Sequence, residues 1–230
     1  MIKHINQISE QAFLLDFGDD ITKEINLNVI NIFYYIFNQI KKDNFLDLKN
    51  CVPSYNKLLL QFNPAKKNKN EIFDFINAID YTKIDSQISN HEIEIPICYD
   101  KEFSLDIHNV SIKTNIEENK IIELHLSTKF FVYMIGFLPG FPFMGDLNSS
   151  LSVPRLITPR LLVPARSVGI VEKFCGIYPS ESPGGWNIIG RTPTRLFFKN
   201  KNNPTLLHPG TNVKFRSISK KEFSELENII

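Results

Sequence analysis

The feature that most restricts how this chain can fold is the uneven placement of its backbone-shaping residues. Nine of ten glycines lie between Gly136 and Gly210, ten of thirteen prolines between Pro139 and Pro209, and all six arginines between Arg155 and Arg216. Glycine permits positive φ and close backbone approach, whereas proline fixes φ and removes a donor. A segment rich in both must turn every few residues and cannot be built from long helices. The other half is written in lysine, asparagine and isoleucine, so one chain carries two differently organised halves. With 230 residues and 43% hydrophobic side chains it can bury one large core or two small ones, and disorder is excluded.

The net charge of +1 leaves no global field to draw the chain to nucleic acid or an anionic membrane. The first half takes its positive charge from lysine alone. Arginine's planar fork suits carboxylate or phosphate, so any anion site is expected in the second half. Cys51, Cys98 and Cys175 are an odd number without short spacing, which predicts neither a disulfide framework nor a zinc knuckle and fits a reducing cytoplasm. Gln7, Ser9, Glu10 and Asp16 interrupt the region where an export signal needs an apolar stretch. The uncharged run 130–145 is too short to span a bilayer and contains Pro139 and Pro142.

Residues 11–17 read as a strand closed by Gly18. Val29, Ile30, Phe33, Ile36, Phe37 and Ile40 then recur at helical spacing over 26–41. Strands at 47–52 and 57–62 flank Pro53-Ser-Tyr-Asn56, and a second helix over 70–80 starts behind Asn70 as N-cap. HEIEIPIC (91–98) alternates as a strand. The order β-α-β-β-α-β predicts a split βαβ, ferredoxin-like α+β domain over 1–88, with a linker near 83–90. Residues 89–230 contain the short β-prone pieces IIELHL, FFVYMIGF, RLLVPA, SVGIV, TRLFF and NVKFRSI, separated by Gly and Pro. This predicts a mainly β barrel or sandwich, closed by a short helix behind Ser219-Lys-Lys-Glu222.

Three strings stand out in the second half. In GFLPGFPF (136–143), Pro139-Gly140 suits a type II turn, and Phe137 and Phe141 make either a pocket wall or an aromatic barrel corner. In PRLITPRLLVPARSVG (154–169), prolines hold arginines on rigid loops, as anion ligands or as ordinary surface groups. In GIYPSESPGGWNIIGRTPTRLF (176–197), the sole tryptophan, Trp186, follows a glycine pair, and Arg191-Thr192 follows Gly190. Neither a phosphate-binding loop nor a dinucleotide fingerprint is present. The five histidines lack metal-ligand spacing, so no metal site is predicted. His125 reads as a strand residue, either general acid/base or structural.

These three strings, in this order, resemble the PxpB/KipI family, which includes the B subunit of bacterial 5-oxoprolinase and was formerly called allophanate hydrolase subunit 1. The resemblance implies a cyclophilin-like β-barrel behind a small α+β domain. It further implies a cytoplasmic complex with PxpA-like and PxpC-like subunits that uses ATP to open the lactam of 5-oxo-L-proline to L-glutamate. The isolated chain is then expected to be inactive. The family's other known role is inhibition of a sensor histidine kinase.

On the enzyme reading His125 is the expected acid or base, and Arg160 or Arg191 the carboxylate ligand. Phe137, Phe141 and Trp186 exclude water, and Pro139, Gly140, Ser167, Tyr178 and Thr192 complete the substrate-binding set. Two departures from the family pattern occur. Arg166 stands where Pro-Ala-Gly usually ends, and Lys173-Phe174-Cys175 replaces Gly-Gln-Thr.

Overall fold

The computed structural model describes residues 2–42, 47–80, 84 and 92–228. The chain divides into two compact units, residues 1–89 and 90–230. The predicted linker at 83–90 lies, apart from Ile84, outside the described residues.

In the first unit, strands β1 (His4–Ser9), β2 (Ala12–Asp16), β3 (Leu48–Pro53) and β4 (Lys57–Phe62) form an antiparallel sheet in the order β1-β2-β4-β3. The sequence KLLLQF alternates, so Leu58, Leu60 and Phe62 all face inward. Helix α1 (Lys23–Lys42) supplies Val29, Ile32 and Ile36 to the same core, and α2 (Lys69–Asn77) adds Ile72 and Ile76. The buried Asn26 donates to the carbonyls of Ser54 and Tyr55 and ties α1 to the β3–β4 turn. The N-cap of α2 is Asn68, two residues before the expected Asn70, because Glu71 completes a capping box with it.

The expected split βαβ order is not what this unit shows. HEIEIPIC supplies β5 (Glu92–Ile97), which pairs parallel with a strand of the second unit, and the fourth strand of the first sheet is β1. Alternation of Ile93, Ile95 and Ile97 specifies a half-buried strand without specifying its sheet. HINQIS is exposed at five of six positions, so its hydrophobic signal is weak.

The second unit continues with α3 (Ile107–Thr114), α4 (Glu118–Ser127), β6 (Phe130–Ile135), β7 (Pro142–Gly145) and β8 (Arg160–Val163). Then follow β9 (Ser167–Val171), β10 (Phe174–Ile177), β11 (Ser182–Gly184), β12 (Asn187–Arg191), β13 (Asn212–Ser217) and α5 (Lys220–Glu227). Seven strands form one sheet in the order β12-β9-β10-β7-β6-β13-β5. Its two edges meet where Cys98, just past β5, exchanges two backbone hydrogen bonds with Arg191 at the end of β12 (2.8 and 3.0 Å). The result is a nearly closed, barrel-like sheet filled by Ile95, Ile97, Val132, Val168, Ile170 and Phe215, among others.

Two of the β-prone pieces behave differently from expectation. IIELHL lies in helix α4, where Ile121 and His125 are buried one turn apart. Its alternation is short, and the helix-forming residues before it override it. TRLFF contributes only an isolated bridge from Phe197 to Thr205. The C-terminal helix starts as expected, with the Ser219 hydroxyl accepting from the Glu222 N–H.

Candidate functional site

The β6–β7 connection builds one side of a cavity. The Phe141 N–H donates to the Leu138 carbonyl (3.0 Å), and Gly140 takes φ +84°, so Pro139-Gly140 forms the expected type II turn. Directly before it, Phe137 sits at φ +66° with the Leu138 N–H bonded to the Gly136 carbonyl (2.8 Å). This tight three-residue turn is costly for a phenylalanine. Its side chain is 63% exposed at the loop tip, edge-on to Phe141 and Tyr178.

Phe141 is the hub of the aromatic wall. It meets Tyr178 and Trp186 edge-to-face, with centroids 5.1 and 5.6 Å away and interplanar angles of 88° and 90°. Gly176 on β10 makes this possible. A Cβ there would stand 2.7 Å from Phe141 Cζ and 2.8 Å from Trp186 Cζ3. Gly176→Ala is therefore expected to destabilise the protein by about 1–3 kcal/mol and to shift Trp186 emission. Denaturant titration followed by tryptophan fluorescence checks this, and an unchanged midpoint and spectrum would count against it.

The cavity bounded by this wall has a volume of about 280 Å³. Phe137, Phe141, Phe143, Tyr178 and Trp186 form its aromatic side. Leu156, Pro159, Pro183, Gly184 and Gly185 line the rest, and Arg155 is its one charged lining residue. Burial raises the Tyr178 hydroxyl above its usual pKa, so it stays a neutral donor. A small ligand with a flat or cyclic apolar body suits such a lining.

Of the expected binding residues, Phe137, Phe141, Tyr178 and Trp186 converge on the cavity, while Pro139 and Gly140 shape its loop. Ser167 and Thr192 are buried and do not line it. The Ser167 carbonyl accepts from the Tyr178 N–H, and the Thr192 hydroxyl accepts from the Thr194 N–H.

The arginines and His125 sit elsewhere than expected. Arg160 points both terminal nitrogens at Asp106 (2.6 and 2.9 Å), whose carboxylate also accepts the Ile188 N–H at 2.7 Å. Its fork is occupied by the protein itself. Arg191 donates to the Ala165 carbonyl and lies over the rings of Phe103 and Phe223, away from the cavity lining. His125 is fully buried in the barrel core. Its Nδ1 faces the Tyr99 hydroxyl at 2.7 Å, its Nε2 the Cys175 thiol at 3.5 Å, and its ring packs on Phe130 and Phe215. Desolvation holds its pKa down to about 3. A neutral, solvent-excluded ring bonded on both sides is placed as a structural residue of the core, not as the acid or base of the cavity.

Both departures from the family pattern can be placed in the fold. Arg166 has φ +67°, a conformation that favours glycine, and its guanidinium bonds the Pro193 carbonyl and Glu227 of α5. It anchors the terminal helix. Cys175 places its thiol 3.5 Å from the His125 Nε2 inside the core.

Asp106 escaped the sequence reading, and Arg155 enters it only as one member of the proline-stiffened arginine string, not as a site residue. Arg155 lay among equivalent-looking arginines, and Asp106 lies 54 positions from Arg160. The available signal for Arg155 was its place in the proline-stiffened string. Among the described residues no cluster of His, Cys, Asp or Glu could hold a metal ion, and no helix is long and apolar enough to cross a membrane.

Comparison with known proteins gives a consistent family. Residues 3–207 match the model of the carboxyltransferase domain, subdomain C and D. The B subunit of the 5-oxoprolinase of Bacillus subtilis is 32% identical over 233 residues, covering 95% of this chain and 94% of that protein. Among solved structures, TTHA0988 superposes with a TM-score of 0.79 at 28% identity, covering 90% of this chain and 40% of that one. PH0987 from Pyrococcus horikoshii is 40% identical with a TM-score of 0.57, covering 96% of this chain and all of that one. The chain therefore belongs to the carboxyltransferase domain family, subdomains C and D, alongside the B subunits of 5-oxoprolinase.

Proposed function

We propose that this chain is one subunit of a cytoplasmic, ATP-dependent complex that hydrolyses the lactam of 5-oxo-L-proline to L-glutamate, with PxpA-like and PxpC-like subunits as partners. The observation that carries this reading is the near full-length similarity to the B subunit of the Bacillus subtilis 5-oxoprolinase. The aromatic cavity is this subunit's share of the substrate site. Phe137, Phe141, Tyr178 and Trp186 hold the ring, and the rigid loops keep them in place.

A lactam is stabilised by amide resonance, and ATP supplies the activation by phosphorylating its oxygen, so that water attack releases phosphate and opens the ring. The chain contains no phosphate-binding loop, and partner subunits complete the site in which the complex uses ATP. A surface for that partner stands beside the cavity. Ile157, Leu161 and Leu162 are exposed on the segment that also carries the lining residues Leu156 and Pro159. An apolar group of this kind, 90% exposed at Leu161, suits burial against another subunit.

The test is to combine the purified chain with its PxpA-like and PxpC-like partners and measure ADP release. The complete set is expected to release ADP in response to 5-oxoproline, and the chain alone to release none. Absence of substrate-dependent ADP from the complete set would sink the proposal.

A further inference from the structure

Each of the six arginines is described, and five are engaged. Arg160 is held by Asp106, Arg166 by Glu227 and the Pro193 carbonyl, and Arg191 by the Ala165 carbonyl. Arg195 donates to the Phe197 carbonyl, and Arg216 to Glu94 and Glu222. Among the described residues, Arg155 is the one arginine with neither an ion pair nor a hydrogen bond. It is also the one charged group lining the aromatic cavity, with no acidic residue in the lining to neutralise it.

Its backbone is held from both sides. The buried Asn187 side chain donates to the Pro154 carbonyl (2.9 Å), and the Leu156 N–H donates to the Gly185 carbonyl (2.7 Å). The guanidinium thus projects from an anchored segment beside a largely apolar chamber. Arg155 is itself exposed and open to a ligand from solution, and because its segment is anchored the loss of loop entropy on binding has already been met by folding. Tyr178, a neutral hydroxyl in the same lining, lies within electrostatic range of Arg155.

We infer that Arg155 is the specificity-determining residue of this cavity and selects small ligands that join a cyclic apolar body to a carboxylate, the body lying against Phe141 and Trp186. This rests on the substrate-site reading above and assigns the anion role to a residue other than Arg160 and Arg191. A guanidinium binds a carboxylate through paired charge-assisted hydrogen bonds and gains far less from a neutral amide.

Trp186 is the sole tryptophan and a wall of the cavity, so its fluorescence reports binding in the intact chain without a label. We would titrate the wild type, Arg155→Met and Arg155→Lys with 5-oxo-L-proline, its carboxamide, L-proline and benzoate. The wild type is expected to bind the acid roughly tenfold to a hundredfold more tightly than the carboxamide. Arg155→Met is expected to bind both equally weakly, Arg155→Lys to fall between, and all three proteins to melt at the same temperature, since Arg155 is exposed.

Equal affinity of the wild type for acid and carboxamide overturns the inference. So does a preference that survives in Arg155→Met, or silence toward every carboxylate. The two readings fail separately. Arg155-dependent binding of benzoate or proline but not 5-oxoproline keeps the selector and removes the substrate, whereas ADP release from the complex with an Arg155-independent titration keeps the substrate and removes the selector.

Discussion

Asp106→Ala is expected to lower stability by about 3 kcal/mol, the low end of what breaking a buried ion pair costs, because the Arg160 side chain keeps 29% of its exposure. The carboxylate accepts three donors, two from Arg160 and one from the Ile188 N–H. It therefore links the start of α3, β8 and β12, segments far apart in sequence. Because its oxygens are committed there, it gives α3 no side-chain cap. Alanine would leave a guanidinium without its partner and a buried backbone N–H unsatisfied. In a unit of this size the loss corresponds to a melting temperature roughly 6–12 °C lower. Thermal denaturation of Asp106→Ala and of the double variant Asp106→Ala/Arg160→Met checks it. The double variant is expected to recover part of the loss, since removing both charges is less damaging than stranding one. A melting temperature within a degree or so of the wild type in the single variant would refute the argument.

The second large effect is a dependence on pH. His125 titrates near pH 6.5 in an unfolded chain and near 3 in the core. Above pH 6.5 the ring is neutral in both states and adds no pH dependence. Below it the unfolded chain takes up a proton that the folded chain refuses, so stability falls as pH falls, by up to about 1.4 kcal/mol per pH unit until about pH 3. The whole window amounts to about 5 kcal/mol for this one ring. His125→Leu removes the titration and strands the Tyr99 hydroxyl and Cys175 thiol, so at pH 7.5 it is expected to be less stable by about 1–3 kcal/mol. Between pH 7.5 and 5 the gap should close by about 2 kcal/mol as the wild type weakens. Urea titrations of both proteins across that range measure it. Curves that stay parallel would mean that the ring is protonated without penalty, and the core assignment would fall with them.

Much of the fold was legible because local rules and tertiary packing agree. KLLLQF, the α1 repeat, the Pro139-Gly140 turn and the Ser219 cap all express preferences that act within a few residues. The misses have a common cause. Sheet membership of β5 depends on β13, paired from Glu92–Asn212 to Ile97–Ser217, and no local pattern encodes so distant a partner. IIELHL alternates over six residues, a window too short to separate a strand from a helix that buries only Ile121 and His125.

The cavity followed the same division. Its aromatic wall could be read from GFLPGFPF and the glycines around Trp186, since stiff turns and missing side chains are local properties. The roles of the arginines could not. Arg155 and Arg160 occur in like contexts, Pro-Arg-Leu in both cases, and differ only because Asp106 reaches one of them across the fold.

The place of β13 bears on how the molecule is made. The last strand of the sequence sits between β5 and β6, the first two strands of its own sheet. During synthesis those two early strands therefore wait with unpaired edges while the rest of the unit emerges, and the wall of the barrel is sealed only when residues 212–217 leave the ribosome. Until then the nascent chain offers two strand edges to any neighbour. Closure by a late, long-range insertion makes folding slow, and makes the interval of translation the time when this protein is most open to mispairing.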